Sequence, residues 1–81
     1  MTPTRDKEAL QTMIRKLGMA MFMEKEAVVT VWTDVEDQTI QGMITKLDKE
    51  RKSIKIENEK EYTWVPFDHV LSIEIVQTEV Q

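Results

Sequence analysis

Apolar residues recur every three or four positions early in the chain, at Leu10, Met13, Ile14, Leu17 and Met21, with Arg5, Lys7, Glu8, Gln11, Arg15 and Lys16 between them. That spacing lays one apolar stripe along a helix whose other faces are charged. Thr2-Pro3 suits the start, because a threonine oxygen accepts from unpaired first-turn amides and a proline there gives up no hydrogen bond. Gly18 is a candidate left-handed cap, yet the following "MAMFME" holds no breaker, so the helix is expected from about residue 4 to about residue 21. From Glu26 the period changes to two. Residues 27–32 ("AVVTVW"), 39–48 ("TIQGMITKLD"), 54–57 ("IKIE"), 62–65 ("YTWV") and 70–76 ("VLSIEIV") read as strands separated by the polar turns "TDVEDQ", "KERKS" and "NEKE".

Turns at this spacing fit a small antiparallel barrel or sandwich. Gly42 lies inside the second strand, where it weakens the ladder unless the strand bends or another backbone passes close. The expected fold is therefore mainly β: one domain over 1–81, with an N-terminal α-helix followed by a small, bent, five-stranded antiparallel barrel over about 27–76. Within "MAMFM", Met19, Met21 and Met23 either close the core beneath the helix or form an adaptable binding surface. Tyr62 and Trp64, two apart in one strand, share a face. They either pack under the helix or contribute to a subunit or partner interface.

Composition narrows the function more than the fold. The chain has 81 residues, a net charge of −4, no cysteine and a single histidine. Disulfides and thiolate metal sites are excluded, and no metal or cofactor is expected. So short a core invites reinforcement by self-association. The opening "MTPTRDKEAL" is charged where a signal peptide needs apolar residues, and no run approaches a membrane span, so a cytoplasmic protein is expected.

Net acidity argues against broad contact with a phosphate backbone. One local exception runs through Lys46, Lys49, Arg51, Lys52 and Lys55, interrupted by Asp48 and Glu50 and followed by Glu57, Glu59 and Glu61. It is a candidate nucleic-acid patch, though it contains no aromatic residue on which a base could stack. Catalysis has little to work with: His69 neighbours only Asp68, and no nucleophile occupies a recognisable motif.

"PFDH", residues 66–69, breaks the strand pattern. Pro66 lacks the amide that a ladder needs, Asp68 can accept from the amides of a short turn, and Phe67 and Val70 are expected to turn inward. Leu71, Ile73 and Ile75 would then continue the buried face, with His69 pointing outward.

"GMITKLD" (42–48) and "WVPFDHVLSI" (64–73) together resemble the YolD-like family of Gram-positive bacteria, which shows a Gly-x-Ile-x-x-Ile-Asp segment and, further on, Ile-Pro-Phe-Asp-Asp-Ile-Leu-x-Ile. Gly42, Asp48, Pro66, Phe67 and Asp68 carry the resemblance, which covers about Val29 to Ile75. His69 departs from it, standing where the family usually has a second acid. The layout is also similar to Sm-like proteins, in which a helix precedes a bent five-stranded barrel. The YolD-like resemblance implies a non-catalytic accessory factor for a Y-family translesion polymerase in the SOS response, by analogy with the UmuD subunit of DNA polymerase V. The Sm-like layout implies instead an RNA-binding homo-oligomer. An enzyme built on Asp68 and His69 ranks last.

Overall fold

The computed structural model describes residues 7–76, which places the anticipated helix start at Thr2 to Thr4 outside the described residues. Helix α1 spans Lys7–Met23, and strands β1 (Glu26–Val31), β2 (Gln38–Asp48), β3 (Ser53–Glu57), β4 (Tyr62–Pro66) and β5 (Val70–Ile75) follow. A 3-10 turn, Phe67–His69, joins β4 to β5. The strands form one antiparallel sheet in the order β4-β3-β2-β1-β5. Its two edges are not hydrogen-bonded to each other, so the sheet is bent but open. Among the described residues no helix is long and apolar enough to cross a membrane.

The bend is built into β2. Its first half, Gln38 to Met43, pairs with β1, and its second half, Met43 to Asp48, pairs with β3. The change of partner falls next to Gly42, where a Cβ would lie 2.6 Å from the main-chain oxygen of Glu57. Absence of a side chain is what lets β3 come that close. Thr45 is an extra residue in the β2–β3 register, a bulge that adds twist just beyond the corner.

Gly18, the candidate cap, does not end the helix, which closes at Met23, close to the expected end near residue 21. Gly18 sits in the exposed helix interior, and the chain turns at Glu24, whose φ is 54°. The Glu24 amide donates to Met21 O (3.2 Å) and the Lys25 amide to Ala20 O (3.2 Å), a Schellman arrangement closed by a glutamate instead of a glycine.

One apolar cluster unites Met13, Leu17 and Ala20 of α1 with inward residues of all five strands, among them Val29, Ile44, Ile54, Ile56, Val65, Val70 and Ile73. Burying a side chain such as Leu17 or Ile54 contributes about 1.5–3 kcal/mol. The helix is rotated towards Ala20 relative to the expected stripe, which leaves Leu10 and Ile14 exposed at its margin. Strand β5 holds a second correction. Val31 pairs with Val70 and Thr30 with Ser72, so Leu71 is a bulged residue and points outward instead of continuing the buried face. The bulge shifts the parity, so that Val70 and Ile73, three apart, both face the core.

Candidate functional site

The two motif segments meet at the end of the β2–β3 hairpin. Asp48 Oδ1 accepts from the amides of Glu50 (3.0 Å) and Arg51 (3.0 Å), which shapes the turn, and Lys52 completes it with a φ of 53°. The Lys52 carbonyl then accepts from the Phe67 amide (2.8 Å). Phe67 is half-buried and packs against the core. Asp48, Pro66 and Phe67 therefore build one structural corner. Asp68 does not take the capping role anticipated for it: the 3-10 turn has no side-chain cap, and the Asp68 side chain is exposed. The carboxylate that organises amides is Asp48, and Asn58 does the same for Lys60 and Glu61 in the β3–β4 turn (3.0 Å each).

The outer face of β3 and β4 gathers part of the cationic segment with the aromatic pair. Lys55 pairs across the ladder with Trp64. Its ammonium lies 4.5 Å from the Tyr62 ring centroid, 5.9 Å from that of Trp64 and 3.7 Å from Glu57 Oε2. Tyr62 and Trp64 thus face solvent beside Lys55; they do not pack under the helix, which rests mainly on β2 and β5. Lys46, Lys49 and Lys52 are exposed, and Arg51 approaches Asp48 at 3.8 Å. Strand pairing brings to these cations the aromatic ring that their own segment lacks. Trp64 borders an open cleft of about 540 Å³ together with Lys46, Lys49 and Arg51, and Asp48 and Glu50 share it.

The methionine run divides. Met21 packs against the core, whereas Met19 and Met23 flank Phe22, which is 87% exposed. Positions 19, 22 and 23 are helical neighbours, so these three side chains form one apolar strip near the end of α1. It lies apart from Tyr62 and Trp64, which face away from the core that α1 covers.

The surroundings of His69 differ from the expectation. The residue is half-buried and not directed outward. Its ring meets Trp32 edge to face at 5.4 Å, and its carbonyl accepts from the Trp32 amide (2.7 Å). Together they form one wall of a groove of about 330 Å³ whose other wall is β4 from Thr63 to Pro66. In the sequence Trp32 reads only as the end of a strand, and nothing local ties residue 32 to residue 69.

Comparison with protein families matches residues 2–74 to the family described as YolD-like protein. The chain belongs to the YolD-like family. The match takes in α1 as well as the sheet, and so extends beyond the Val29 to Ile75 segment that carries the motif resemblance. A search of the curated proteins returns no match to this chain. Within this YolD-like chain the glycine segment ends in the turn shaped by Asp48, and the Lys52 carbonyl of that turn accepts from the Phe67 amide of the Pro-Phe-Asp corner.

Proposed function

We propose that this YolD-like chain is a non-catalytic interaction protein of the cytoplasm, acting as an accessory factor of a Y-family translesion polymerase in the SOS response. The observation that carries the interaction reading is the strip of Met19, Phe22 and Met23: a large aromatic ring is left almost wholly in water between two adaptable thioether side chains. The polymerase as partner rests on the family resemblance. A binding role also accords with the surroundings of His69, whose ring packs on Trp32 while Asp68 beside it is exposed. The test is affinity capture of the tagged chain at native expression after DNA damage, beside Phe22→Asp. Recovery of a Y-family polymerase that Phe22→Asp loses is the expected result; capture of the polymerase unchanged by that variant would sink the role of the strip, and no polymerase at all would sink the repair role.

A second reading, an RNA-binding oligomer, draws on Trp64 standing beside Lys46, Lys49 and Arg51 and on the two unpaired sheet edges. It requires single-strand affinity that falls steeply with salt and a mass well above the monomer. A monomer without affinity for oligonucleotides at low salt removes it.

A further inference from the structure

The free edge of β4 faces the Trp32–His69 wall. The Phe67 amide donates to Lys52 O and the Asn58 amide to Glu61 O, both on the register that joins Ser53 to Pro66 and Glu57 to Tyr62. Hydrogen-bonded pairs alternate along an antiparallel ladder, so Thr63 and Val65 direct their amides to β3 while Tyr62 and Trp64 direct theirs away from it. Among the described residues strand β4 borders only β3, and no β3 residue lines the groove, so the groove runs along the side of β4 away from β3. Val31 and Ile40 add apolar surface to it.

The charge on the β1–β2 side of the groove has one sign, while the cations Lys46, Lys49, Arg51 and Lys55 stand beyond Trp64 on the β4 side. The β1–β2 loop carries Asp34, Glu36 and Asp37 and no cation. Thr33 Oγ1 holds the loop in a tight turn by accepting from the amides of Val35 (3.2 Å) and Glu36 (3.1 Å), and Asp34 lines the groove itself. On that side the rim favours a cationic side chain and opposes a phosphate group.

We propose that the groove receives an extended basic segment of a protein partner, which adds to β4 as a further strand. Its main chain takes the amides of Tyr62 and Trp64, alternate apolar side chains lie against Trp32, Val31 and Ile40, and a lysine or arginine stands beside Asp34. A second copy of this chain is a poor occupant, because neither of its edge strands, β4 or β5, carries a cation, and β5 carries Glu74. The proposal rests on the reading of the chain as an interaction protein but uses a surface separate from the Phe22 strip.

Amide exchange followed by NMR tests it, using a short blocked peptide that alternates valine and threonine between terminal lysines. The peptide is expected to slow exchange at Tyr62 and Trp64, and the Asp34→Lys variant, whose change lies in an exposed loop, to weaken binding roughly tenfold. Replacing the terminal lysines by glutamates should weaken binding similarly, and methylating the peptide's alternate amide nitrogens should abolish it. The proposal is overturned if those two amides stay unprotected at millimolar peptide, if acidic and basic peptides bind alike, or if oligothymidylate gives the same protection. Protection already present in the free protein, together with a dimeric mass, would make a second copy the occupant and overturn it too. Failure of the broader interaction reading shows elsewhere, in the capture experiment with Phe22→Asp, which leaves the groove untouched.

Discussion

Replacing Gly42 by alanine tests whether the bend of β2 depends on an absent side chain. The added Cβ would stand 2.6 Å from Glu57 O, 2.9 Å from Ile56 Cγ2 and 3.1 Å from the Glu57 carbonyl carbon. An acceptable carbon–oxygen contact begins near 3.3 Å, so the strands must part by roughly 0.7 Å. Neither strand moves freely, because Gly42 is paired with Ala27 on one side and Met43 with Glu57 on the other. Overpacking of this kind costs about 1–3 kcal/mol, while alanine returns about 0.4–1 kcal/mol by restricting the unfolded chain, so mid-range values of about 2 and about 0.7 leave a net loss of about 1–2 kcal/mol. With a urea m-value of about 1 kcal/mol/M for a domain of this size, the unfolding midpoint should fall by about 1–2 M. Gly18→Ala is the internal control: it lies in the helix interior with no atom within 4 Å of the new Cβ. Its midpoint should rise by about 0.5–1 M, from a gain of about 0.5–1 kcal/mol. A Gly42→Ala midpoint equal to or above that of the parent would refute the account of the bend.

Further substitutions at three positions separate roles that sequence alone confuses. Asp48→Ala should cost about 1 kcal/mol by releasing the amides of Glu50 and Arg51, whereas Asp48→Asn, which keeps the acceptor, should stay within about 0.5 kcal/mol in the same urea experiment. Phe67→Ala should cost about 2 kcal/mol, below the 3–5 kcal/mol of a fully buried ring, because Phe67 is half-buried. Lys52→Gly should raise the thermal midpoint through a gain of about 0.5–1 kcal/mol, since glycine adopts the left-handed turn position without the strain of a side chain.

Strands β1 and β3 are the most legible in the sequence because their alternation agrees with their burial: Ala27, Val29 and Val31 inward in β1, Ile54 and Ile56 in β3. Gly42 is legible because a glycine inside a β-branched run signals a bend or a close approach of backbone. The Leu71 bulge is not, since an extra residue reverses the inward set without altering the composition of the strand. The residue that caps α1 is hidden for a related reason: Glu24 adopts a conformation usually given to glycine, while Gly18 does not. The candidate groove is the least legible part. It depends on bringing Trp32, Pro66 and His69 together, and such contacts follow from strand order and bend, which periodicity does not encode. The same limit hides the approach of Trp64 to the cations.

Pro66 also limits what the free edge of β4 can assemble. By the alternation along that strand, its missing amide belongs to the unpaired side, so an incoming strand finds donors at Tyr62 and Trp64 and then a ring carbon. Growth along the edge stops there. A contact so short forms and releases readily, and it cannot template the long, open-ended stacking of like strands that leads to fibres. The residue that ends the strand thereby sets a length limit on this edge, short of what open-ended polymerisation along β4 would need.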